Sequence, residues 1–393
     1  MNTGFGGTAV AGSAVSVESD LDLLRETIRR VATGAIAPEV AGMEQSGAMP
    51  EAALRALVET DFHAPAIPTR YGGAGAGALE AAVVIEEVAR VSAAASMIPA
   101  QGFVASCALA GAEAGSEQAA VLSAIAGGEL VATSPLAGVR ATGVVAEAVP
   151  GGWRLEGVLD WVPLTYRDSG AALVAVVETA AGPRLLAGRL ARLEPGMSQA
   201  TSMLGFRGVP FASLRLSGVV IPSGAVATEG AQPQLALWRA ARLIATAAQA
   251  TGVAAMALEA ATGYVRERRQ FGRPIGEFQA LRVMLADMAT RVESARHLTY
   301  AAAEAIESST GPEPARLAAS AKLHASDMAV SVATDAVQLF GGYGFMQDYP
   351  VERAMRDAKM TQLLAGDRLE QQCAIADILY AAGPDKAAAG PER

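Results

Sequence analysis

Cysteine and histidine are both scarce in this chain of 393 residues. The two cysteines, Cys107 and Cys373, lie near neither each other nor a histidine, which excludes a disulfide framework and a zinc site as the basis of the fold. The three histidines, His63, His297 and His324, are far apart in sequence and have no spacing typical of a metal site or a catalytic triad.

Charged and aromatic residues are also few, at 18% and 5%, whereas 51% of the residues are hydrophobic. A net charge of -9 argues against a nucleic-acid-binding surface. Gly, Arg, Glu or Asp interrupts each apolar run before it reaches membrane-spanning length, so we expect no membrane span. The first residues, MNTGFGGTAVAGS, lack the basic region of a signal peptide. We therefore expect a cytoplasmic protein.

Three segments of different periodicity follow one another along the chain. Over 18–127, apolar residues recur at helical spacing, as in DLDLLRETIRRVATGAI. Over 128–230, short alternating or β-branched runs between Gly and Pro predict an antiparallel β domain, with a hairpin at EAVPGGWRLEGV. Over 231–385, long helical runs with short connections predict a four-helix bundle. The predicted fold is α+β and mainly α, with a disordered tail at 1–17 and a second tail at 386–393.

A loop near the end of the chain, KMTQLLAGDRLEQQ, carries a carboxylate that has two interpretations. Asp367 follows Gly366 and precedes a helical run, which favours the N-cap of the last helix. Glu370, three residues later, completes a capping-box pattern. The alternative is that the Asp367 carboxylate faces a ligand.

Four motifs indicate a family. They are IPTRYGGAG at 67–75, LGFRGVPFASLRLSGVVIP at 204–222, RERRQFGRPIGEFQALRVMLADM at 266–288 and DAVQLFGGYGFMQDYPVERAMRDAK at 335–359. Together with the order of helical, β and helical segments, they resemble the acyl-CoA dehydrogenase family. The resemblance implies the fold of that family: an N-terminal helical domain, a middle antiparallel β domain and a C-terminal four-helix bundle.

The resemblance implies FAD as the cofactor. Arg268 and Phe271 lie at positions where the family contacts FAD from one subunit. Gln338, Gly341 and Gly342 lie where a helix end of a neighbouring subunit meets the adenosine diphosphate part. The resemblance therefore implies a homo-oligomer, a dimer or a tetramer, with a heteromer containing a paralogue as the alternative.

In the β domain the chain departs from the family. The loop that the family writes Thr-Glu-Pro-x-Ala-Gly-Ser-Asp reads TSPLAGVRA here, beginning at Thr133. The resemblance implies that Thr133 contacts the cofactor and Val139 the substrate. The flavin-side Trp-Ile-Thr of the family is Trp-Val-Pro here, beginning at Trp161, and proline has neither a hydroxyl nor an N–H. Thr165 is the candidate replacement for the missing threonine.

The largest departure concerns the catalytic base. The family's glutamate, which removes the α-proton of the acyl thioester, is replaced by Ala365, followed by Gly366 and Asp367. A minority of the family places this glutamate near the start of the long bundle helix, where this chain has Arg242 and no acidic residue between positions 232 and 252. The resemblance implies substrate contacts at Arg242, Ala365 and Gly366. The resemblance also implies a cofactor contact at Asp367, which is a candidate for a relocated base.

Three hypotheses for function remain. The first is FAD-dependent oxidation of an acyl thioester, on CoA or on an acyl carrier protein, with an atypical base and an electron acceptor protein as a partner. The second is a flavin-dependent oxygenase or oxidase on the same fold, which needs no α-proton base. The third is the base-lacking, non-catalytic subunit of a heteromeric acyl-CoA dehydrogenase. We favour the first and expect no metal.

Overall fold

The fold was examined in a computed structural model, which describes residues 11–138, 143–164, 170–190, 198–226 and 232–381. Helices occupy both ends of the described chain and strands occupy the middle. This order agrees with the three segments of different periodicity in the sequence.

The N-terminal part is helical. Its α-helices are α1 (Ala11–Val31), α2 (Val40–Ser46), α3 (Glu51–Glu59), α4 (Ala78–Ala89), α5 (Met97–Ala108) and α6 (Glu117–Ala126). The first helix begins at Ala11, so the prediction of a disordered tail over 1–17 is wrong for residues 11–17. Residues 13–20 contain no Gly or Pro that would stop a helix from extending in this direction.

Within its described residues, the middle part forms one seven-stranded sheet. Its strands are β1 (Val131–Thr133), β2 (Gly143–Val149), β3 (Gly152–Pro163), β4 (Ala171–Thr179), β5 (Gly182–Leu190), β6 (Ser198–Thr201) and β7 (Phe211–Pro222). The strand order is β1-β4-β2-β3-β7-β6, and β5 pairs with β4. The sheet is not purely antiparallel as predicted, because β4 pairs in parallel with β1 and, at one position, with β2. No tight turn joins either parallel pair, so turn residues could not reveal their direction.

The predicted hairpin is confirmed. Strands β2 and β3 pair from Gly143 with Val158 to Val149 with Gly152. Further along β3, the register against β7 shifts between Leu159 and Val162. Such a shift re-aims the backbone locally. The residue within it, Trp161, has a φ of +54°.

The C-terminal part contains three long and two shorter α-helices. They are α7 (Gln232–Glu267), α8 (Gln279–Ser308), α9 (Glu313–Phe340), α10 (Pro350–Thr361) and α11 (Arg368–Ala381). Two short strands, β8 (Arg269–Gln270) and β9 (Arg273–Pro274), follow α7. Helix α7 packs against α4, α5, α8, α9 and α10. It is long and apolar enough to cross a membrane, but 72% of its apolar window is buried inside the protein, which is typical of a core helix.

Candidate active site

Three segments that are distant in sequence meet beside the start of α11. The backbone N–H of Ala365 donates to the carbonyl oxygen of Leu136 at 2.8 Å, and the N–H of Leu136 donates to that of Trp161 at 3.1 Å. The Thr133 hydroxyl donates to the Pro163 carbonyl at 2.6 Å. We call this meeting of residues 133–138, 161–163 and 362–370 the three-loop junction.

Arg242 approaches the junction from α7. Its side chain is 2% exposed, and Nη2 donates to the carbonyl oxygens of Pro135 at 2.8 Å and Ala137 at 2.7 Å. The guanidinium lies 4.5 Å from the ring centroid of Trp238. Burial lowers the pKa of Arg242 to about 10, and the negative charge of Glu370 opposes that shift. The side chain therefore remains a cation at neutral pH, and it holds the 133–138 segment in place.

One nitrogen of this guanidinium is unsatisfied. Among the residues that the structure describes, no hydrogen-bond partner reaches Nε of Arg242. A buried donor without a partner costs about 1–3 kcal/mol. The junction therefore has a donor to offer to a polar group of a bound molecule.

Ala365 has a φ of +57° and is 2% exposed. The left-handed conformation costs a residue with a Cβ about 1–2 kcal/mol. Gly366 follows with a φ of +101°, so the chain reverses sharply between α10 and α11. A methyl group accepts no proton, so the junction has no base at this position.

Asp367 caps α11. Its Oδ1 accepts a hydrogen bond from the backbone N–H of Glu370 at 2.9 Å, and its side chain is otherwise exposed. The N-cap interpretation of Asp367 is confirmed. A catalytic or cofactor-binding role for the same carboxylate stays a prediction.

The carboxylate of Glu370 lies over two glycines of the junction. A Cβ placed on Gly138 would be 2.3 Å from Oε2 of Glu370, and one placed on Gly366 would be 2.9 Å from Oε1. The sequence suggested only a capping role for Glu370. The sequence contained one indication of this position of Glu370, namely a glycine at both 138 and 366. Glycine has no side chain and therefore leaves space for the carboxylate.

Lys322 is a site residue that the sequence did not reveal. Its side chain is 1% exposed, and Nζ donates to the carbonyl oxygens of Gly366 at 2.5 Å and Gln362 at 2.9 Å. Burial lowers the pKa of Lys322 to about 8. The signal was a lysine on the apolar face of α9, between Ala318 and Ala325. Its ammonium anchors the loop that carries Ala365.

A second group of predicted residues lies where α7 ends. The Arg268 guanidinium carbon is 5.4 Å from the ring centroid of Tyr343. Phe271 has a φ of +53° and is 91% exposed, and its ring meets that of Phe278 edge to face at 6.2 Å. We call Arg268, Phe271 and the neighbouring residues 338–343 the distal cluster.

The glycines and the glutamine of the distal cluster are open to solvent. A Cβ placed on Gly341 or Gly342 would meet nothing within 4 Å, and Gln338 is exposed. This open backbone permits the close approach of a ligand. The last two predicted site residues, Val139 and Thr165, lie outside the described residues.

The junction lies beside the first third of α7, and the distal cluster lies where this helix ends. Arg242 and Glu267 are separated by about 25 residues of this helix, which corresponds to about 37 Å at 1.5 Å per residue. The structure thus divides the predicted site residues of one chain into two distant groups.

Comparison with known proteins agrees with the motifs and the fold. The family model described as acyl-CoA dehydrogenase, N-terminal domain, matches residues 18–129, and the model of the acyl-CoA dehydrogenase C-terminal domain matches residues 234–378. The chain belongs to the acyl-CoA dehydrogenase family. The resemblance drawn from the four sequence motifs is confirmed, and the chain is a flavin oxidoreductase by family.

Individual members of the acyl-CoA dehydrogenase family cover nearly the whole chain. The probable acyl-CoA dehydrogenase fadE25 of Mycobacterium leprae is 37% identical, over 91% of this chain and 94% of that protein. The 3-sulfinopropanoyl-CoA desulfinase of Paraburkholderia xenovorans is 33% identical, over 87% and 91%. Butyryl-CoA dehydrogenase of Megasphaera elsdenii superposes with a TM-score of 0.81 at 25% identity, over 96% and 100%. The predicted α+β acyl-CoA dehydrogenase fold is confirmed.

Proposed function

We propose that this protein oxidises an acyl-CoA thioester with bound FAD. One observation carries the proposal. The residues that the family resemblance assigns to the flavin and the thioester, Trp161, Arg242 and Ala365, are linked through the hydrogen bonds of the 133–138 segment. These contacts support a single site, to which Arg242 would contribute the Nε donor that reaches no acceptor among the described residues.

FAD fits the residues present. At the junction, Thr133 and the half-buried ring of Trp161 would hold the flavin end. Arg268 and Phe271, which the sequence assigned to a different subunit from the glycines, lie near them in the same chain. Together they would hold the adenosine diphosphate end at the distal cluster. When bound, FAD supplies the acceptor for the hydride that leaves the β-carbon of the substrate.

The spacing of the two groups supports a homo-oligomer. The two groups are about 37 Å apart along α7, and the resemblance assigns the adenosine diphosphate part of FAD to a neighbouring subunit. The junction of one copy would then combine with the distal cluster of another copy. Each complete site in this arrangement contains residues of two subunits.

The substrate, the electron acceptor and the cellular location are parts of the same proposal. The names of the relatives support CoA over an acyl carrier protein, because they describe acyl-CoA substrates. An electron acceptor protein would re-oxidise the flavin after each turnover. Burial of α7 in the protein core supports a cytoplasmic enzyme.

Anaerobic mixing of the purified protein with a panel of saturated acyl-CoAs tests the proposal. We expect a yellow protein whose flavin absorbance bleaches with at least one acyl-CoA, and an enoyl-CoA product with two hydrogens fewer by mass spectrometry. Bleaching only with NAD(P)H, followed by oxygen consumption, would instead identify an oxygenase or oxidase.

A second candidate function is an acyl-CoA reaction that removes no α-proton. Ala365 favours it, because the base position holds a methyl group. One of the relatives is named a desulfinase and not a dehydrogenase, namely 3-sulfinopropanoyl-CoA desulfinase. Product formation from an acyl-CoA without flavin bleaching would favour this second function. A protein that retains flavin only when co-expressed with a paralogue would favour the non-catalytic subunit.

A further inference from the structure

We propose that Glu370 is the base that takes the α-proton of the substrate in this protein. The inference rests on the proposed thioester oxidation and identifies the group that Ala365 cannot supply. It applies to a side chain five residues beyond the family's position, on the first turn of α11.

The direction of the side chain follows from helix geometry. Helix α11 begins at Arg368, and side chains of a helix tilt toward its N-terminus. From the first turn, the Glu370 carboxylate therefore reaches back over Gly366, within 2.9 Å of the place where a Cβ would be. The same carboxylate faces Gly138 of the 133–138 segment. It lies inside the three-loop junction, whereas Asp367 lies at its exposed edge.

The two glycines make this placement available. The Cβ placed on Gly138 would also be 3.4 Å from Cα of Gly366, so the two segments are in direct contact. A side chain at either position would compete with the carboxylate for the same space. Gly138 has no left-handed φ, so alanine is compatible with its backbone.

Two buried cations act on the Glu370 charge. The attraction of Glu370 raises the pKa values of both Arg242 and Lys322 against the larger, opposite effect of burial. The Glu370 carboxylate therefore lies close enough to both buried cations to interact with them electrostatically.

Two other carboxylates lie near the junction. Asp367 Oδ1 accepts the N-cap hydrogen bond of α11. Asp160 lines a small cavity with Gly138 and Arg242, but its Oδ1 accepts a hydrogen bond from the Ser213 hydroxyl at 2.5 Å. Glu370 is the carboxylate that lies against Gly366.

In the proposed step, the Cα–H bond of the acyl thioester breaks, and its proton goes to the Glu370 carboxylate. The electron pair of that bond forms the Cα=Cβ double bond as a hydride leaves Cβ for FAD. The products are an enoyl thioester, protonated Glu370 and reduced FAD. Glu370 then releases its proton to water, and the electron acceptor protein re-oxidises the flavin.

Exchange of α-protons isolates the role of the base from flavin reduction. An acyl-CoA with sulfur in place of its β-carbon has no β-hydride to lose, so incorporation of deuterium from D2O at its α-carbon reports proton removal alone. With the FAD-loaded protein, we expect Glu370→Gln to slow this exchange by about 10²–10⁴-fold. The affinity for the analogue, measured by calorimetry, and the FAD content should stay within about twofold of wild type, because glutamine preserves the shape and the capping pattern.

Two further variants control the experiment. Asp377→Asn makes the same chemical change at an exposed position of α11 and should leave exchange unchanged. Gly138→Ala keeps Glu370 but displaces its carboxylate, and we expect slower exchange. If Glu370→Gln folds poorly, Gly138→Ala decides the question.

The outcomes separate the inference from the proposed function. If Glu370→Gln exchanges the α-proton and bleaches its flavin as fast as wild type, Glu370 is not the base. The proposed function would still stand. Loss of exchange in Asp367→Asn with full exchange in Glu370→Gln would identify Asp367 instead. A wild-type protein that neither exchanges the analogue nor bleaches with any acyl-CoA would overturn both.

Discussion

At the scale of single residues, titration of Lys322 makes the free energy of unfolding depend on pH. Its folded-state pKa of about 8 lies below the ordinary value of 10.5 because the ammonium is buried. Between these two values the unfolded chain binds a proton that the folded protein has released, so the free energy of unfolding should rise with pH. Below the folded value both states are protonated, and the cost of burying the charge is fully present.

Comparison of wild type with Lys322→Arg checks this prediction, because arginine keeps its charge throughout the window. We expect urea unfolding to show a wild-type advantage that grows between about pH 8 and pH 10.5. The exposed Lys359→Arg should give no such change. A difference between wild type and Lys322→Arg that is constant over this range would show that the ammonium is hydrated in solution.

At the scale of elements, the capping of α11 determines how firmly Glu370 is placed. Asp367→Ala removes the acceptor of the Glu370 N–H and should lower the free energy of unfolding by about 1 kcal/mol. Asp367→Asn keeps a capping oxygen and should cost only a few tenths of this amount. Chemical denaturation measures the loss, and hydrogen exchange should show that the first turn of α11 loses protection. Equal stability of the two variants would contradict the capping role.

Sequence reasoning succeeded for features that depend on local chemistry. The Asp367 cap, the β2–β3 hairpin and the long helix α7 each follow from residues within the element. The family motifs then extended these predictions to the whole fold. Helix periodicity and turn residues carry this information without reference to distant segments.

The remaining features depend on contacts between segments far apart in sequence. The parallel pairing of β1 with β4 joins residues about 40 positions apart, with no turn to indicate it. The acceptors of the Lys322 ammonium lie 40 and 44 residues further along the chain. Likewise, the orientation of the Glu370 carboxylate depends on Gly138 of the β region. Single-element patterns do not contain such pairings, which is why they were missed.

At the scale of the whole molecule, the distal cluster should govern assembly. Phe271 leaves 91% of its surface exposed, an arrangement that a partner copy and FAD would cover. We expect Phe271→Ser to lose bound FAD and to shift the protein toward smaller species in size-exclusion chromatography with light scattering. Leu23→Ser, at an exposed position of α1, is the matched control and should retain both properties. A Phe271→Ser protein with unchanged mass and full FAD content would contradict this role.

The length of helix α7 also sets the distance between the two groups of site residues. One residue inserted within it would lengthen the spacing by about 1.5 Å and rotate the distal cluster by about 100° relative to the junction. Loops elsewhere in the chain can absorb a change of length without such a rotation. Descendants of this sequence should therefore vary in length at their loops while keeping the number of residues between Arg242 and Arg268 constant.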